Sequence, residues 1–257
     1  MLEAQVLLAN LLQKSRSWIA AHPETPILPE QQLELDSLLR RRLAGEPLPY
    51  LIGHWEFYGL DFQITPEVLI PRPETELLVE EALRWLQANP SRRRVADVGT
   101  GSGCIAVSLT TRFSDLTVIA SDLSWAALRV TRTNAERYSV QRRIHLLQSN
   151  LLQAVKGPLD LVCANLPYIP TDTAKELPIS LYEPLLAIDG GPDGLVFIHA
   201  LLEDSRRLLS PGGMTLLEIE AHQGYTVPFL SKTFFPHASI TSLKDISGND
   251  RLVKIET

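Results

Sequence analysis

The chain has 257 residues, of which 45% are hydrophobic and 21% charged, and its formal net charge is −6. That is enough apolar material for one large domain, or for an ordinary domain beside a small one. The acidic balance excludes a protein that grips a nucleic-acid backbone over a wide surface, since such affinity comes from Lys and Arg neutralising phosphates, and the two cysteines, Cys104 and Cys163, supply neither a disulfide framework nor a metal-ligand cluster.

Residues 2–21 place Leu7, Leu8, Leu11, Leu12 and Ile19 at helical spacing before Pro23, which predicts one helix. A second helix, 29–43, opens on Pro29 and ends before Gly45, with Leu35, Leu38, Leu39 and Leu43 in one stripe. The 45–50 stretch, Gly-Glu-Pro-Leu-Pro-Tyr, reads as a rigid loop, and 54–64, aromatic and β-branched around Gly59, as a hairpin. Two prolines hold Arg72 on stiff, extended backbone within 69–76, which leads into a helix ending near residue 88. From residue 94 short apolar runs (94–98, 117–121, 144–148, 159–164, 214–219) alternate with amphipathic helices (102–113, 124–138, 194–209). This alternation predicts an α/β fold with a mainly parallel sheet covered by helices. The late runs 237–243 and 251–255 suit an antiparallel pair at one sheet edge. The domain boundary is placed at 72/73, with a helical unit and hairpin linker at 1–72 and the sheet domain at 73–257. No leader with a cleavage site is evident at the N-terminus, and no apolar run approaches the ~20 residues that span a bilayer. The protein is therefore expected to be cytoplasmic and free of membrane, and nothing demands more than a monomer. Both cysteines lie in apolar stretches and read as small core residues.

The segment 95–106, Val-Ala-Asp-Val-Gly-Thr-Gly-Ser-Gly-Cys-Ile-Ala, is a strand, a tight turn and a helix start. Gly99, Gly101 and Gly103 let the backbone approach a flat ligand with no Cβ in the way. Ligands bind past the carboxyl ends of strands in open parallel sheets, so this turn, with Thr100 and Ser102, should floor a cofactor site. The turn alone does not say which cofactor, because 101–106 also satisfies the dinucleotide G-x-G-x-x-A pattern; a purely structural turn is the third reading. Asp122 follows the next strand, where a carboxylate accepts hydrogen bonds from ribose hydroxyls, with helix capping as the structural alternative. Asp97, before the turn, either orients it or meets the ammonium end of a bound amino acid.

Asn165-Leu-Pro-Tyr168 lies at a later strand end, which faces the same cleft. The Asn165 side-chain oxygen and the next backbone carbonyl can each accept one hydrogen from a planar NH2 group. Pro167 stiffens the turn and Tyr168 can wall the group held there. An amide nitrogen is a poor nucleophile because its lone pair is delocalised, so two acceptors pulling on its N–H bonds suit a nitrogen being turned toward a methyl donor.

With these motifs together the chain resembles the glutamine-N5 methyltransferases of peptide-chain release factors, the PrmC/HemK family. The resemblance runs nearly end to end: Tyr50-Leu-Ile-Gly53, Glu56-Phe57, the Leu69–Glu76 segment, the glycine turn, Asn165-Leu-Pro-Tyr168, Glu183-Pro184 and Gly248-Asn-Asp-Arg251. It implies a small helical N-terminal domain that helps dock the substrate, and a Rossmann-like class I methyltransferase domain with a seven-stranded sheet. It also implies S-adenosylmethionine as cofactor, no metal, and the glutamine of the Gly-Gly-Gln motif of class 1 release factors as substrate. By resemblance, Asp97, Gly99, Thr100, Gly101, Ser102, Gly103, Asp122, Asn150, Leu151 and Asn165 bind the cofactor, and Asn165, Leu166, Pro167 and Tyr168 cradle the glutamine. Two positions depart from the family pattern. Leu166 stands where a proline is usual, and Asn150-Leu151 where an Asp and an aromatic residue are usual near the adenine.

Three other functions share parts of this pattern. A DNA adenine-N6 methyltransferase uses a similar tetrapeptide but needs a basic surface to hold a flipped base. An NAD-type dehydrogenase shares the glycine turn but needs a hydride-handling His or Lys at a strand end. A non-catalytic S-adenosylmethionine-binding module would keep the fold without the reaction.

Overall fold

The computed structural model describes residues 2–257. It forms two compact units, Met1–Trp55 and Glu56–Thr257.

The first unit is helical: α1 (Leu2–Leu12), α2 (Arg16–Ala21), α3 (Pro29–Leu43) and α4 (Leu48–Ile52). The single helix expected over 2–21 is two helices. Gln13 adopts a positive φ of 51°, and the Ser15 hydroxyl accepts from the Trp18 N–H at 3.1 Å to start α2. A serine that caps satisfies an orphan donor that a continuous helix would leave bonded elsewhere. The loop expected over 45–50 runs instead into α4. Pro49 sits in its first turn, where a missing N–H costs nothing, and Gly53 ends it at φ 78°. Leu7, Leu35, Leu38 and Leu51 form the core of this unit.

The hairpin pairs β1 (His54–Phe57) with β2 (Leu60–Gln63). Its turn residues Tyr58 and Gly59 both have positive φ, 51° and 72°, the geometry that matches strand twist in two-residue turns.

The second unit holds α5 (Glu76–Ala88), β3 (Arg94–Val98), α6 (Cys104–Arg112), β4 (Thr117–Asp122), α7 (Trp125–Arg137), β5 (Ile144–Gln148), β6 (Leu159–Ala164), α8 (Thr171–Glu176), α9 (Val196–Leu208), β7 (Leu209–Glu218), α10 (Thr226–Phe234), β8 (Ser239–Lys244) and β9 (Asp250–Glu256). The seven-stranded sheet has the order β5-β4-β3-β6-β7-β9-β8. The first five strands are parallel; β9 runs antiparallel to both β7 and β8, the edge pair that the late apolar runs predict. Sequence reading did not identify α8 and α10.

Side chains alternate across the sheet. Ala96, Val98, Val162 and Ala164 pack with Ile198, Leu201 and Leu202 of α9 and Val227 of α10. Asp97, on the opposite face, accepts from the Ala106 N–H of α6. Within this unit Asn134 of α7 pins β2: its Oδ1 accepts from the Gln63 N–H at 2.7 Å, and its Nδ2 donates to Gln63 O and Ser102 O at 3.0 and 2.9 Å. The compact-unit boundary thus falls at 55/56, ahead of the 72/73 position read from sequence. No helix among the described residues is long and apolar enough to cross a membrane.

Candidate active site

The sheet order reverses direction between β3 and β6, since β4 lies on one side of β3 and β6 on the other. Crevices open at such a switch point. The register pairs Val98 with both Ser121 and Ala164, so the next residues along each strand, Gly99, Asp122 and Asn165, emerge side by side. The Gly99 and Thr100 N–H groups both donate to Ser121 O, at 2.9 and 3.0 Å, which curls the glycine turn over β4.

One cavity, about 1050 Å³ with its open mouth, occupies this point. Gly99, Thr100, Gly101, Ser102, Asp122, Asn150, Leu151, Asn165, Leu166 and Pro167 line it. Asp97, Gly103 and Tyr168 do not, although they lie within or next to these segments.

Gly99, Gly101 and Gly103 have φ of 71°, 57° and 79°, a region that side chains rarely adopt. A Cβ on Gly99 would lie 3.0 Å from Leu166 Cδ2 and 3.6 Å from Asn165 O. This close approach of the turn to the tetrapeptide is the central geometric fact of the site. Gly103 is small for a different reason, because a Cβ there would meet Thr131 Cγ2 at 2.7 Å. It allows α6 and α7 to pack and lies off the cavity wall.

Asp97 is fully buried. Its Oδ2 accepts from Thr100 Oγ1 at 2.6 Å and from the Ala106 N–H at 3.1 Å, which orients the turn. Its Oδ1 is buried with no partner. Burial raises its pKa to about 6, against the opposing bonds from Thr100 and Ala106. Asp122 accepts from the Gly101 N–H at 2.9 Å through Oδ2 and from the Ser124 N–H at 2.8 Å through Oδ1. Each oxygen keeps a further lone pair. Burial raises its pKa as well. The capping role falls to Ser124, whose hydroxyl accepts from the Ala127 N–H at 3.2 Å. Leu151 has φ 49°, so the Asn150–Leu151 turn bends tightly at the end of the cavity wall.

Asn165 Nδ2 donates to Thr75 Oγ1 at 3.0 Å, which leaves its Oδ1 to accept. Leu166 is 4% exposed and packs in the sheet core, where it fills the space beside Gly99. The Tyr168 ring packs on the same core, and burial, with Glu218 nearby, pushes its phenol up to about 12. Cys104 and Cys163 are buried free thiols.

Sequence reasoning missed Thr75 and the glycines of 190–194. A Cβ on Gly190 would lie 2.7 Å from Pro167 O and 2.8 Å from Tyr168 Cα, so the Gly190-Gly191-Pro-Asp-Gly194 run clamps the tetrapeptide from behind. That glycine-rich run was the available signal. Arg72 pairs with Glu183: its Nη2 donates to both carboxylate oxygens at 2.7 and 2.8 Å, and the Glu183 side chain is fully buried. Burial raises the Glu183 pKa and Arg72 opposes the rise.

A mainly parallel sheet in this order, with the glycine turn and the 165–168 turn meeting at its switch point, defines a class I methyltransferase. Residues 1–53 match the description "PrmC N-terminal domain" and residues 74–179 "Methyltransferase small domain". The chain belongs to the release factor glutamine methyltransferase family. It is 42% identical to a protein so named from Moorella thermoacetica, covering 97% of this chain and 89% of that one, and 38% identical to one from Geobacter sulfurreducens, covering 98% and 88%. Among solved structures it is similar in fold to a methyltransferase from Pyrococcus furiosus (TM-score 0.55, 19% identity, 89% of this chain and 98% of that one). It is also similar to a T. thermophilus 16S rRNA N2 methyltransferase in complex with AdoMet and guanosine (TM-score 0.55, 16% identity, 79% and 49%). The dehydrogenase reading of the glycine turn does not survive this membership.

Proposed function

We propose that this chain transfers the methyl group of S-adenosylmethionine to the side-chain amide nitrogen of the glutamine in the Gly-Gly-Gln motif of a class 1 release factor. The observation that carries the reading is the contact of Gly99 with Asn165–Leu166 within one cavity, which seats an amide acceptor against a cofactor turn.

The residues fit the cofactor. Asp122 has lone pairs left for two ribose hydroxyls, and the Asn150 side chain can accept from an adenine amino group beside Leu151. The bare Oδ1 of Asp97 suits a cationic amine under the turn made by Gly99, Thr100, Gly101, Ser102 and Gly103. S-adenosylmethionine supplies an activated methyl on a sulfonium. Asn165 Oδ1 and the following backbone carbonyl accept the two hydrogens of the substrate NH2, which raises electron density on nitrogen and fixes its lone pair. Pro167 holds that turn rigid, and Tyr168 anchors it in the core. Bound there, the sulfonium would supply the methyl and leave as the neutral thioether, and the extra proton on nitrogen would pass to water, so the site needs no strong base. Positioning and electrostatics supply the catalysis.

The helical unit contributes docking surface for the release factor, and the enzyme acts as a cytoplasmic monomer without binding nucleic acid. Incubation of purified protein with methyl-labelled S-adenosylmethionine, a class 1 release factor and, in parallel, DNA tests this. Label is expected on the release factor glutamine alone. Label on DNA, or cofactor binding with no transfer, would overturn it.

A further inference from the structure

Behind the cavity two stretches of main chain touch. A Cβ on Gly194 would lie 2.1 Å from Tyr168 O, and one on Gly190 would lie 2.7 Å from Pro167 O. The approach is possible because neither glycine carries a side chain, and Gly194 adopts a φ of 74°. Contact alone does not hold the two stretches together. The carbonyls of Tyr168 and Gly194 converge on one point, and both are acceptors, so that point needs a donor.

The Gln223 side chain supplies it. Gln223 ends a 3₁₀ turn, Ala221–Gln223, and is buried. Its Nε2 donates to Tyr168 O at 3.3 Å and to Gly194 O at 3.1 Å, while its Oε1 accepts from the Glu220 N–H at 3.1 Å. A carboxamide has two hydrogens to give and one oxygen to accept. Three main-chain groups of fixed polarity therefore hold it in a single orientation. An ionised carboxylate of the same shape would keep the bond from Glu220 and lose both donors.

Gln223, Gly190 and Gly194 lie off the cavity wall, whereas Asn165, Leu166 and Pro167 line it. Any effect of Gln223 on the reaction must pass through the 165–168 turn. That turn is restrained at both ends. Gly99 crowds Asn165 and Leu166 at its start. Past its end the Ile169 N–H donates to Ile188 O at 3.2 Å, and Ile169 O accepts from the Gly190 N–H at 2.8 Å.

We propose that Gln223 is a positioning residue for methyl transfer: its carboxamide ties the Tyr168 carbonyl to the Gly194 carbonyl, and so fixes where Asn165 Oδ1 and the following backbone carbonyl meet the acceptor NH2. The inference rests on the amide-transfer reading above. The cofactor side of the cavity, with Gly99, Asp122 and Asn150, is carried by the ends of β3, β4 and β5. Loosening the tie should slow transfer without weakening cofactor binding.

Two variants of the full chain test this. Gln223→Glu keeps the shape, and Gln223→Met keeps the length without either polar end. In turnover with release factor each should lower kcat by about 10–100-fold, with the KM for release factor and the cofactor affinity within about 3-fold of wild type. The second readout needs no substrate. In chain labelled with 13C at the tyrosine carbonyls, the Tyr168 resonance, assigned by its loss in Tyr168→Phe, should move in both variants as its donor is removed. If Gln223→Met does not fold, the isosteric Gln223→Glu carries the test. Wild-type kcat in a folded variant, a loss confined to cofactor affinity, or a Tyr168 carbonyl resonance that stays in place would overturn the proposal. A Tyr168 resonance that moves as expected in a chain that methylates no release factor would uphold the tie and overturn the proposed substrate.

Discussion

Adding one methyl group at Gly99 perturbs the contact on which the site is built. In Gly99→Ala the new Cβ must hold a φ near 71°, which costs about 1–2 kcal/mol for a non-glycine residue. It also sits 3.0 Å from Leu166 Cδ2, tighter than ordinary packing, and forcing a methyl into a packed site costs about 1–3 kcal/mol more. The expected loss is about 2–5 kcal/mol, or roughly 4–20 °C in Tm for a unit of this size. Any relief comes from moving Leu166, and therefore its neighbour Asn165. A shift of a few tenths of an ångström should lower kcat by about 10-fold or more. The assay is turnover on release factor, with cofactor affinity by calorimetry and thermal melts on the same samples. Leu166→Ala opens the space, so the double variant should recover the packing part of the loss but not the backbone strain, giving a coupling of about 1 kcal/mol or more. Full activity and unchanged Tm in Gly99→Ala, or strict additivity in the double variant, would refute the reasoning.

Asp122→Ala removes an ionised acceptor as well as the bonds to Gly101 and Ser124, so cofactor Kd should rise by about 10–100-fold; an unchanged Kd by calorimetry excludes the ribose role. Arg72→Ala leaves Glu183 buried without its cation and should cost about 1–3 kcal/mol in denaturant unfolding, partly recovered by adding Glu183→Gln; no shift in midpoint would show the pair to be inert. Asp97 holds its proton more tightly when folded, because burial raises it from 3.8 to about 6. The ligand-free protein therefore carries this stabilisation in full below about pH 4 and loses it, on the order of 3 kcal/mol, as pH rises through about 6. Asp97→Asn should flatten that part of the stability profile, and an identical slope in the variant contradicts the assignment.

The strand ends were legible because a parallel sheet reads as short apolar runs, and the residues that follow each run must gather at one edge. Gly99, Asp122 and Asn165 were found that way. The hairpin showed in Gly59 and its aromatic flanks. The break at Gln13–Ser15 stayed hidden because the leucine spacing continues through it, and a capping serine looks like any polar residue on a helix face. The helix at Leu48–Ile52 was masked by prolines, which mark both loops and first helical turns. Thr75 carries no local signal: its bond to Asn165 follows from the fold, which brings residues far apart in the chain to one point. Asp97 and Gly103 belong to the turn motif but lie off the cavity wall: Asp97 sits beneath the turn with its Oδ1 unpartnered, and Gly103 lies against Thr131 of α7.

Methyl transfer by Asn165→Ala tests the core of the account, since it removes the side-chain acceptor while leaving the glycine turn and Asp122 in place. Single-turnover transfer to release factor should fall by at least about 100-fold, with cofactor affinity within about 3-fold of wild type. Turnover close to wild type would contradict it.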